Sequence, residues 1–521
     1  MATRVLIANR GEIAVRIAKT LIENCYVPVG IYTADDADSL HRRFLVDDLE
    51  VSSYLDIKGI VEAALELGAE ALHPGYGFLS ENPNFALEAA KRGLVFVGPP
   101  ASIMSLSGDK LASKLLAERL EVPTLPWAEV REPDDVVEFA KTHGYPVIIK
   151  AAGGGGGRGV RIVRNEREVE LAVKSARAEA ERAFKDPRLF VEPYLEWAKH
   201  IEVQILGDGD NFVHLYEREC SLQRRFQKVI EEAPSPSLSG SERKKLYEYA
   251  LAIARGIKYS NAGTIEFVFD VKNREFYFME INARIQVEHP VTEMITRVDI
   301  VKEQLRIALN GVLDLKQHEI SSSGHAIEAR IYAENPYTGE PSPGTIRKYR
   351  EPGGPGIRVD SGVHEGSKVS EKYDPLISKV IAWGPSRDTS IQRLNRALRE
   401  YVIEGVATNI PLLTQVVSSP DFVNANYTTR YLESVMPSLL DKVAEEAVTQ
   451  AVIVSSLVEF GDTGAKTYLR RPSILQNLLR GERISSIKRH AWYYYASLRT
   501  GFSRYYRSNK RARDERPGYR N

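Results

Sequence analysis

Cysteine is nearly missing from this chain: Cys25 and Cys220 are the two it has. Two thiols cannot build a disulfide framework, so a reducing compartment, the cytoplasm, is expected. No apolar run approaches the ~20 residues that a helix needs to cross a bilayer, so no membrane partner is expected. The run Val5-Leu-Ile-Ala is cut short by Asn9-Arg10 and reads as a first strand rather than a signal peptide. A G-x-x-x-x-G-K-[ST] phosphate loop is absent. Methionine is scarce, and none of Met1, Met104, Met279, Met294 and Met436 adjoins a lysine. Net charge is lacking too, because 70 Lys+Arg meet 70 Asp+Glu. That balance hides an asymmetry: residues 450–521 carry 15 basic against 5 acidic side chains, so the remainder is acidic by 10. An acidic body with a basic tail speaks of partners rather than of fold.

What is present is ordinary soluble-protein material, 43% hydrophobic and 27% charged, in a chain of 521 residues. That length exceeds one compact core, so two or three structural units are expected. Residues 1 to about 110 alternate strand and helix signals, beginning with Val5-Leu-Ile-Ala, a helical stretch to about Glu23, and Val27-Pro-Val-Gly-Ile-Tyr. Such βαβ units imply a parallel sheet of nucleotide-fold type. Loops at the carboxyl ends of its strands bind ligands, which makes His73 and Glu81 of Ala71-Leu-His-Pro-Gly-Tyr-Gly-Phe-Leu-Ser-Glu-Asn82 candidates; a structural loop role suits His73 equally. From about Gly324 to Trp383 the pattern is strand-rich, and helices then dominate to about Leu440.

Three clusters carry chemistry. The first is Glu280-Ile-Asn-Ala-Arg-Ile-Gln-Val-Glu288, which continues the strand pattern Phe276-Tyr-Phe-Met. Alternation puts Phe276, Phe278, Glu280 and Asn282 on one face and Tyr277, Met279 and Ile281 on the other. A carboxylate and an amide two residues apart offer oxygen ligands to a hard cation such as Mg²⁺. Thr264 to Asp270 and Glu275 to Glu280 read as a hairpin that brings Glu266 to the same cation. The second cluster is Gly153 to Gly157, which lies between the strand Tyr145 to Lys150 and Val160-Arg-Ile-Val. A strand after the glycines contradicts a dinucleotide fingerprint and suggests a flap whose amides close over phosphates, with Lys150 beside it. The third is Ser221-Leu-Gln-Arg-Arg-Phe-Gln-Lys228, where charge concentrates; Arg224 and Arg225 read equally as a solvated face.

These motifs together resemble the biotin carboxylase component of biotin-dependent carboxylases, members of the ATP-grasp superfamily. The likeness covers about residues 1 to 435 and also rests on Ile7-Ala-Asn-Arg-Gly-Glu-Ile13, Gly108-Asp-Lys110, Arg224 to Pro234, Glu328-Ala-Arg330, Tyr373-Asp374 and Glu404 to Asn409. It implies an α/β and α+β multidomain fold. A Rossmann-like pre-ATP-grasp domain would span 1–112 and an ATP-grasp domain 113–310, with a glycine-rich lid at about 130–204. A carboxylase C-terminal domain would span 311–440 and a basic aromatic extension 441–521. Position by position, the resemblance implies that Lys110 and Lys150 contact ATP phosphates under a lid around Gly156 and Gly157. Glu192, Pro193, Tyr194 and Leu195 would form the adenine hinge, with His200 as a further nucleotide contact. Glu266, Glu280 and Asn282 would hold Mg²⁺ or Mn²⁺. Lys228, Arg284 and Val287 would bind bicarbonate, Glu288 would deprotonate it, and Arg330 would hold carboxyphosphate or biotin oxygens. Phe226 stands where the family usually has histidine or another polar residue, Pro193 where it usually has lysine, and the segment Val51 to Leu55 is shorter than in bacterial relatives.

The implied activity is ATP-dependent carboxylation of biotin, the first half-reaction of an acetyl- or propionyl-CoA carboxylase, with a pyruvate-type carboxylase as the alternative. Biotin is carried on a lysine in a Met-Lys-Met-like turn, and none occurs here. The expected partners are therefore a separate biotin carboxyl carrier protein and a carboxyltransferase subunit, in a hetero-oligomer that contains copies of this chain. The tail, with Trp492-Tyr-Tyr-Tyr495 and Lys510-Arg-Ala-Arg513, is read first as a docking segment for them, second as disordered, and third as RNA-binding. A non-catalytic scaffold is the rival from another class.

Overall fold

The structure, a computed structural model, describes residues 2–154 and 159–449. Gly156, Gly157 and the tail beyond residue 449 lie outside the described residues. The chain opens with a five-stranded parallel sheet in the order Asp47–Glu50, Val27–Tyr32, Arg4–Ile7, Ala71–His73, Val95–Phe96. Helix Gly11–Glu23 packs onto it through Ile13, Ala14, Ile17 and Leu21, which meet Val5 and Ile7 in one buried cluster. Burying each such large apolar side chain contributes ~1.5–3 kcal/mol. The first strand sits in the middle, so the topology reverses beyond Ile7 and His73, where open α/β sheets form a crevice. There Asn9 Nδ2 donates to the carbonyls of Pro74 at 2.6 Å and Tyr76 at 2.8 Å, pinning the loop over the sheet. Gly75 in that loop has φ 62°, and a Cβ on it would stand 2.9 Å from Asn9 Nδ2. Glycine is required there.

The next unit is a four-stranded antiparallel sheet, Ala128–Val130, Leu189–Pro193, Val147–Ala151, Arg161–Val163 in that order. Helices Pro133–His143 and Val169–Phe184 cover it, with Val136, Phe139, Val173 and Ala176 in the shared core. The glycine run thus joins antiparallel neighbours, as expected of a flap.

An eight-stranded antiparallel sheet forms the rest of the frame. Its order is Glu275–Asn282, Ser260–Asp270, Ala198–Asp208, Phe212–Arg224, Gln227–Ala233, His325–Tyr332, Leu376–Gly384, Ile357–Ser361. Helix Gly240–Gly256 buries Leu246, Ala250 and Ile253 against Ile201, Val203, Ile265, Phe267 and Phe269 on one face. Helices Arg387–Glu400 and Ile410–Val417 pack Leu394, Leu398, Leu413 and Val416 against Ile327, Ala329 and Val380 farther along. Residues 431–449 continue as helix, and Val443 and Ala444 are buried.

The hairpin expected at Thr264 to Glu280 is present, but its faces differ from strict alternation. Phe276 and Phe278 enter the same core as Ile281 and Ala283. The register passes from Phe267 opposite Phe278 to Glu266 opposite Glu280, which leaves Met279 as an extra residue. That bulge re-aims the strand, so Glu280 and Asn282 leave the core face of the phenylalanines and join Glu266 on the other side. Alternation alone had placed Phe276, Phe278, Glu280 and Asn282 together; the bulge separates them.

The parallel sheet is seated on the large one by close packing. A Cβ on Gly362, just after Ile357–Ser361, would stand 2.5 Å from Glu12 N and 2.8 Å from Gly11 C. Backbone meets backbone, so neither side can yield by rotating a side chain. Gly362→Ala is expected to destabilise the fold by ~1–3 kcal/mol, read as a lower midpoint of urea unfolding.

Candidate functional site

The face of the large sheet opposite helix Gly240–Gly256 carries an uncommon row. Glu280 pairs in register with Glu266, Glu266 with Glu202, and Glu202 with Arg218, across four adjacent strands. On the next two strands Glu231 pairs with Glu328. Like charges directly opposite repel, and Glu202, Glu231, Glu266, Glu288 and Glu328 are all buried. Such a face folds only with cations threaded through it.

Lys228 is the central one. Its Nζ donates to Glu202 Oε2 at 2.6 Å, Glu288 Oε1 at 2.7 Å and Glu266 Oε1 at 2.9 Å. Burial would depress the ammonium, but three carboxylates overcome it and hold its pKa well above the ordinary lysine value. Arg218, fully buried, donates to Glu202 at 2.5 Å, Gln204 at 2.8 Å, Thr292 at 2.9 Å and Thr264 at 3.1 Å. Arg330 spans Glu231 at 2.5 Å and Glu288 at 3.0 Å. Burial alone would raise the Glu288 carboxyl; Lys228 first and Arg330 after it more than offset that, and the group stays below the ordinary glutamate range. Glu231 has weaker support: burial, with Glu288 nearby, lifts it to about 7 despite Arg330.

His200 Nε2 lies 3.0 Å from Glu266 Oε2. Desolvation opposes its protonation, yet the Glu266 charge prevails and lifts its pKa to about 9. Arg284 donates to Glu81 at 2.9 Å, Gln286 at 2.8 Å and Asn282 Oδ1 at 3.0 Å. Lys110 pairs with Glu280, and Lys150 donates to Glu192 Oε2 at 2.7 Å, while Lys114 meets the other Glu192 oxygen. Pro193, Tyr194 and Leu195 close the strand Leu189–Pro193 and begin the turn after it, where Tyr194 N donates to Pro146 O. Val287 O accepts from Lys379 at 2.8 Å.

Lys228, Glu266, Glu288, Arg330 and His200 thus share one connected cluster, and Glu280, Asn282, Arg284 and Lys110 border it. Lys150 and Glu192 sit on the flap side, at the edge of the small sheet. Glu81 belongs with Arg284, whereas His73 does not reach the cluster: its Nδ1 accepts from Gly75 N at 3.0 Å, and burial drives its pKa down to about 3. Phe226 is exposed in a two-residue hairpin loop, with Arg225 at φ 52° and Phe226 at φ 62°. Both central residues with φ > 0 define the type I′ geometry of tight hairpins.

Sequence reasoning missed Glu202, Arg218, Glu231, Lys114 and Lys379. The signal for Glu202 was readable: His200-Ile-Glu-Val-Gln204 alternates polar with apolar, and Ile201 and Val203 fill the core. Cys220 also lies inside the cluster, its Sγ 3.8 Å from Glu288 Oε1. Burial, with Glu202 and Glu288 close by, keeps it a neutral thiol. Among the described residues, the His/Cys/Asp/Glu groups compact enough for a cation are His200–Glu202–Glu266 and Glu202–Cys220–Glu288.

Glu266, Glu280 and Asn282 fit a hard divalent cation. The donors are all oxygen, their strands pair in register, and each already faces a positive side chain, Lys228, Lys110 and Arg284 respectively.

Residues 1–104, 109–316 and 328–434 match the family models of the biotin carboxylase N-terminal domain, the carbamoyl-phosphate synthase L chain ATP binding domain and the biotin carboxylase C-terminal domain. The chain belongs to the biotin carboxylase family. It is an enzyme of that class, with the ATP-grasp architecture expected from its motifs. A pyruvate carboxylase subunit from Methanothermobacter thermautotrophicus is 45% identical over 443 residues, 83% of this chain and 90% of that protein. The mitochondrial propionyl-CoA carboxylase alpha chain of Mus musculus is also 45% identical, over 446 residues, 83% of this chain and 62% of that one. A solved dimer of the biotin carboxylase domain of Hydrogenobacter thermophilus 2-oxoglutarate carboxylase, in complex with MgADP, ADP and bicarbonate, aligns with a TM-score of 0.82 at 44% identity. It covers 84% of this chain and 98% of that one.

Arg218→Met would leave Glu202 buried without its guanidinium. A loss of ~3–5 kcal/mol is expected, measured by urea unfolding of the purified variant.

Proposed function

We propose that this site carboxylates biotin on a carrier protein, using ATP, a divalent cation and bicarbonate. The observation that carries the reading is Glu288, a fully buried carboxylate kept ionised between Lys228 and Arg330, in the same short segment as Arg284. A buried base between two cations is arranged for an anionic substrate. Bicarbonate entering beside Lys228 and Arg284 would draw the Lys228 ammonium toward itself. Glu288 would then lose part of the charge that lowers its pKa, and become more basic as the substrate arrives.

The proton passes from bicarbonate to Glu288, and the carbonate oxygen attacks the γ-phosphorus of ATP as ADP leaves. Lys110 and Lys150 would hold the phosphates, with the glycine flap over them. Mg²⁺ or Mn²⁺ bound by Glu266, Glu280 and Asn282 would neutralise phosphate charge. Carboxyphosphate then yields CO₂ and phosphate; phosphate takes the ureido proton of biotin, Arg284 stabilises the resulting oxyanion, and the ureido nitrogen attacks CO₂ to give carboxybiotin. Arg330 holds the carboxyphosphate or biotin oxygens. Glu192 to Leu195 and His200 serve as the nucleotide contacts.

The next acceptor of the carboxyl group is read as an acyl-CoA, through a carboxyltransferase partner in a complex that holds several copies of this chain. A pyruvate-type acceptor is the second reading, carried by the equal 45% identity to a pyruvate carboxylase component. The transferase that co-purifies decides between them. The cytoplasm fits two cysteines without a disulfide, Cys25 exposed and Cys220 buried. Among the described residues no helix is long and apolar enough to cross a membrane.

The deciding experiment mixes purified protein with Mg²⁺-ATP, bicarbonate and free biotin; ADP release that biotin does not stimulate would overturn the reading. Glu288→Gln is expected to lower biotin-dependent turnover ~10²–10⁴-fold, and Arg284→Ala ~10²–10³-fold. Both variants should keep ATP affinity, checked by equilibrium binding. Because residues 431–449 are helical and partly buried, the tail is tested by truncation after Thr449. Turnover with free biotin should persist while pull-down of the carrier and transferase proteins weakens; loss of RNA binding with assembly intact would favour the scaffold reading.

A further inference from the structure

Lys379 has no solvent exposure and no part in the steps above. It sits on strand Leu376–Gly384, and its ammonium gathers partners from separate parts of the chain. Nζ donates to Val287 O at 2.8 Å, lies 3.2 Å from Glu12 Oε2 and 4.0 Å from Asp360 Oδ2, and stands 5.8 Å from the Tyr76 ring centre. Glu12 opens the first helix, Tyr76 belongs to the loop over the parallel sheet, and Val287 belongs to the 280–288 segment of the site.

A buried ammonium needs compensating charge, and Glu12 and Asp360 supply it. The bond to a neutral carbonyl goes beyond charge balance. That carbonyl lies in the peptide plane that ends at Glu288 N, so holding Val287 O sets the direction in which the Glu288 chain leaves the backbone. Glu288 is itself the N-cap of helix His289–Thr296, and its side chain caps nothing there. Its carboxylate is free to be aimed at Lys228 and Arg330.

We infer that Lys379 is a positioning residue for the carboxylation reaction, holding the Val287–Glu288 peptide in its working orientation. The inference rests on the biotin carboxylase reading, and wild-type turnover with free biotin is the baseline that this reading must meet by itself. Against that baseline, Lys379→Met and Glu12→Gln are compared in the full chain. Lys379→Met should lower kcat/KM for bicarbonate ~10–100-fold while KM for ATP stays within about twofold. Glu12→Gln keeps the ammonium on Val287 O, and its bicarbonate kinetics should stay within about threefold of wild type. The double variant Glu12→Gln/Lys379→Met removes both buried charges and answers the case in which Lys379→Met alone does not fold. Its bicarbonate defect should persist. Wild-type bicarbonate kinetics in Lys379→Met or in the double variant, or an equal defect in Glu12→Gln, would overturn the assignment.

Discussion

Four buried glutamates on one sheet face, Glu202, Glu231, Glu266 and Glu328, must be neutralised before this molecule can fold at all. Glu280, Glu266 and Glu202 stand opposite one another on neighbouring strands, and Glu231 stands opposite Glu328. At cross-strand spacing in a poorly solvated interior, their mutual repulsion would exceed what one hydrophobic face of the sheet can offset. Lys228, Arg218, Arg330 and His200 therefore do structural work in the resting protein, each paired with at least one of these buried carboxylates. The same arrangement is what a phosphoryl-transfer site needs. A cation held by several weakly solvated carboxylates can turn toward an incoming anion, and the carboxylate it leaves is ready for a metal ion or a proton. Stability and reactivity are thus set by the same pairs, and removing a single partner is expected to affect both.

The backbone places this charge row with few devices. Strand alternation delivers His200, Glu202 and Gln204 to one side and Ile201, Val203 and Ile205 to the other. The extra residue Met279 does the rest, because it lets a strand that begins with buried phenylalanines end with Glu280 and Asn282 on the opposite face. A bulge at the end of a strand converts core into site within two residues, without a loop. The antiparallel register of the neighbouring strand then supplies Glu266 directly across from Glu280.

Much of this was legible in the chain, for identifiable reasons. Residues 280–288 lie consecutively, so their chemistry reads as a string, and the hairpin to Glu266 is short enough to be traced by alternation. Glu202, Arg218, Glu231 and Lys379 were hidden for the opposite reason. Each stands in a strand whose string of residues does not show which charges will meet, and its partners come from other elements that can lie far away in sequence: Lys379 meets Val287 and Glu12. The face assignment of Phe276 and Phe278 failed because a one-residue bulge leaves no mark in composition. Phe226 shows a local limit as well. Its replacement of the usual histidine or other polar residue was visible, but that it projects from a tight turn with positive φ was not.

The eight-stranded sheet runs without a break from the strands of the ATP-binding part into those of the C-terminal part, where Gln227–Ala233 pairs with His325–Tyr332. The boundary between the matched family segments falls at residues 316–328, between these paired neighbours in the sequence. A fragment that stops there would expose one flank of the strand that carries Lys228 and Glu231, with Val229 and Ile230 stripped of Ile327 and Ala329. Open N–H and C=O groups beside an apolar stripe are the ingredients of edge-to-edge aggregation. Sequence families divide this chain into modules, but its hydrogen bonds do not, and expression of either half alone would meet that difference as insolubility.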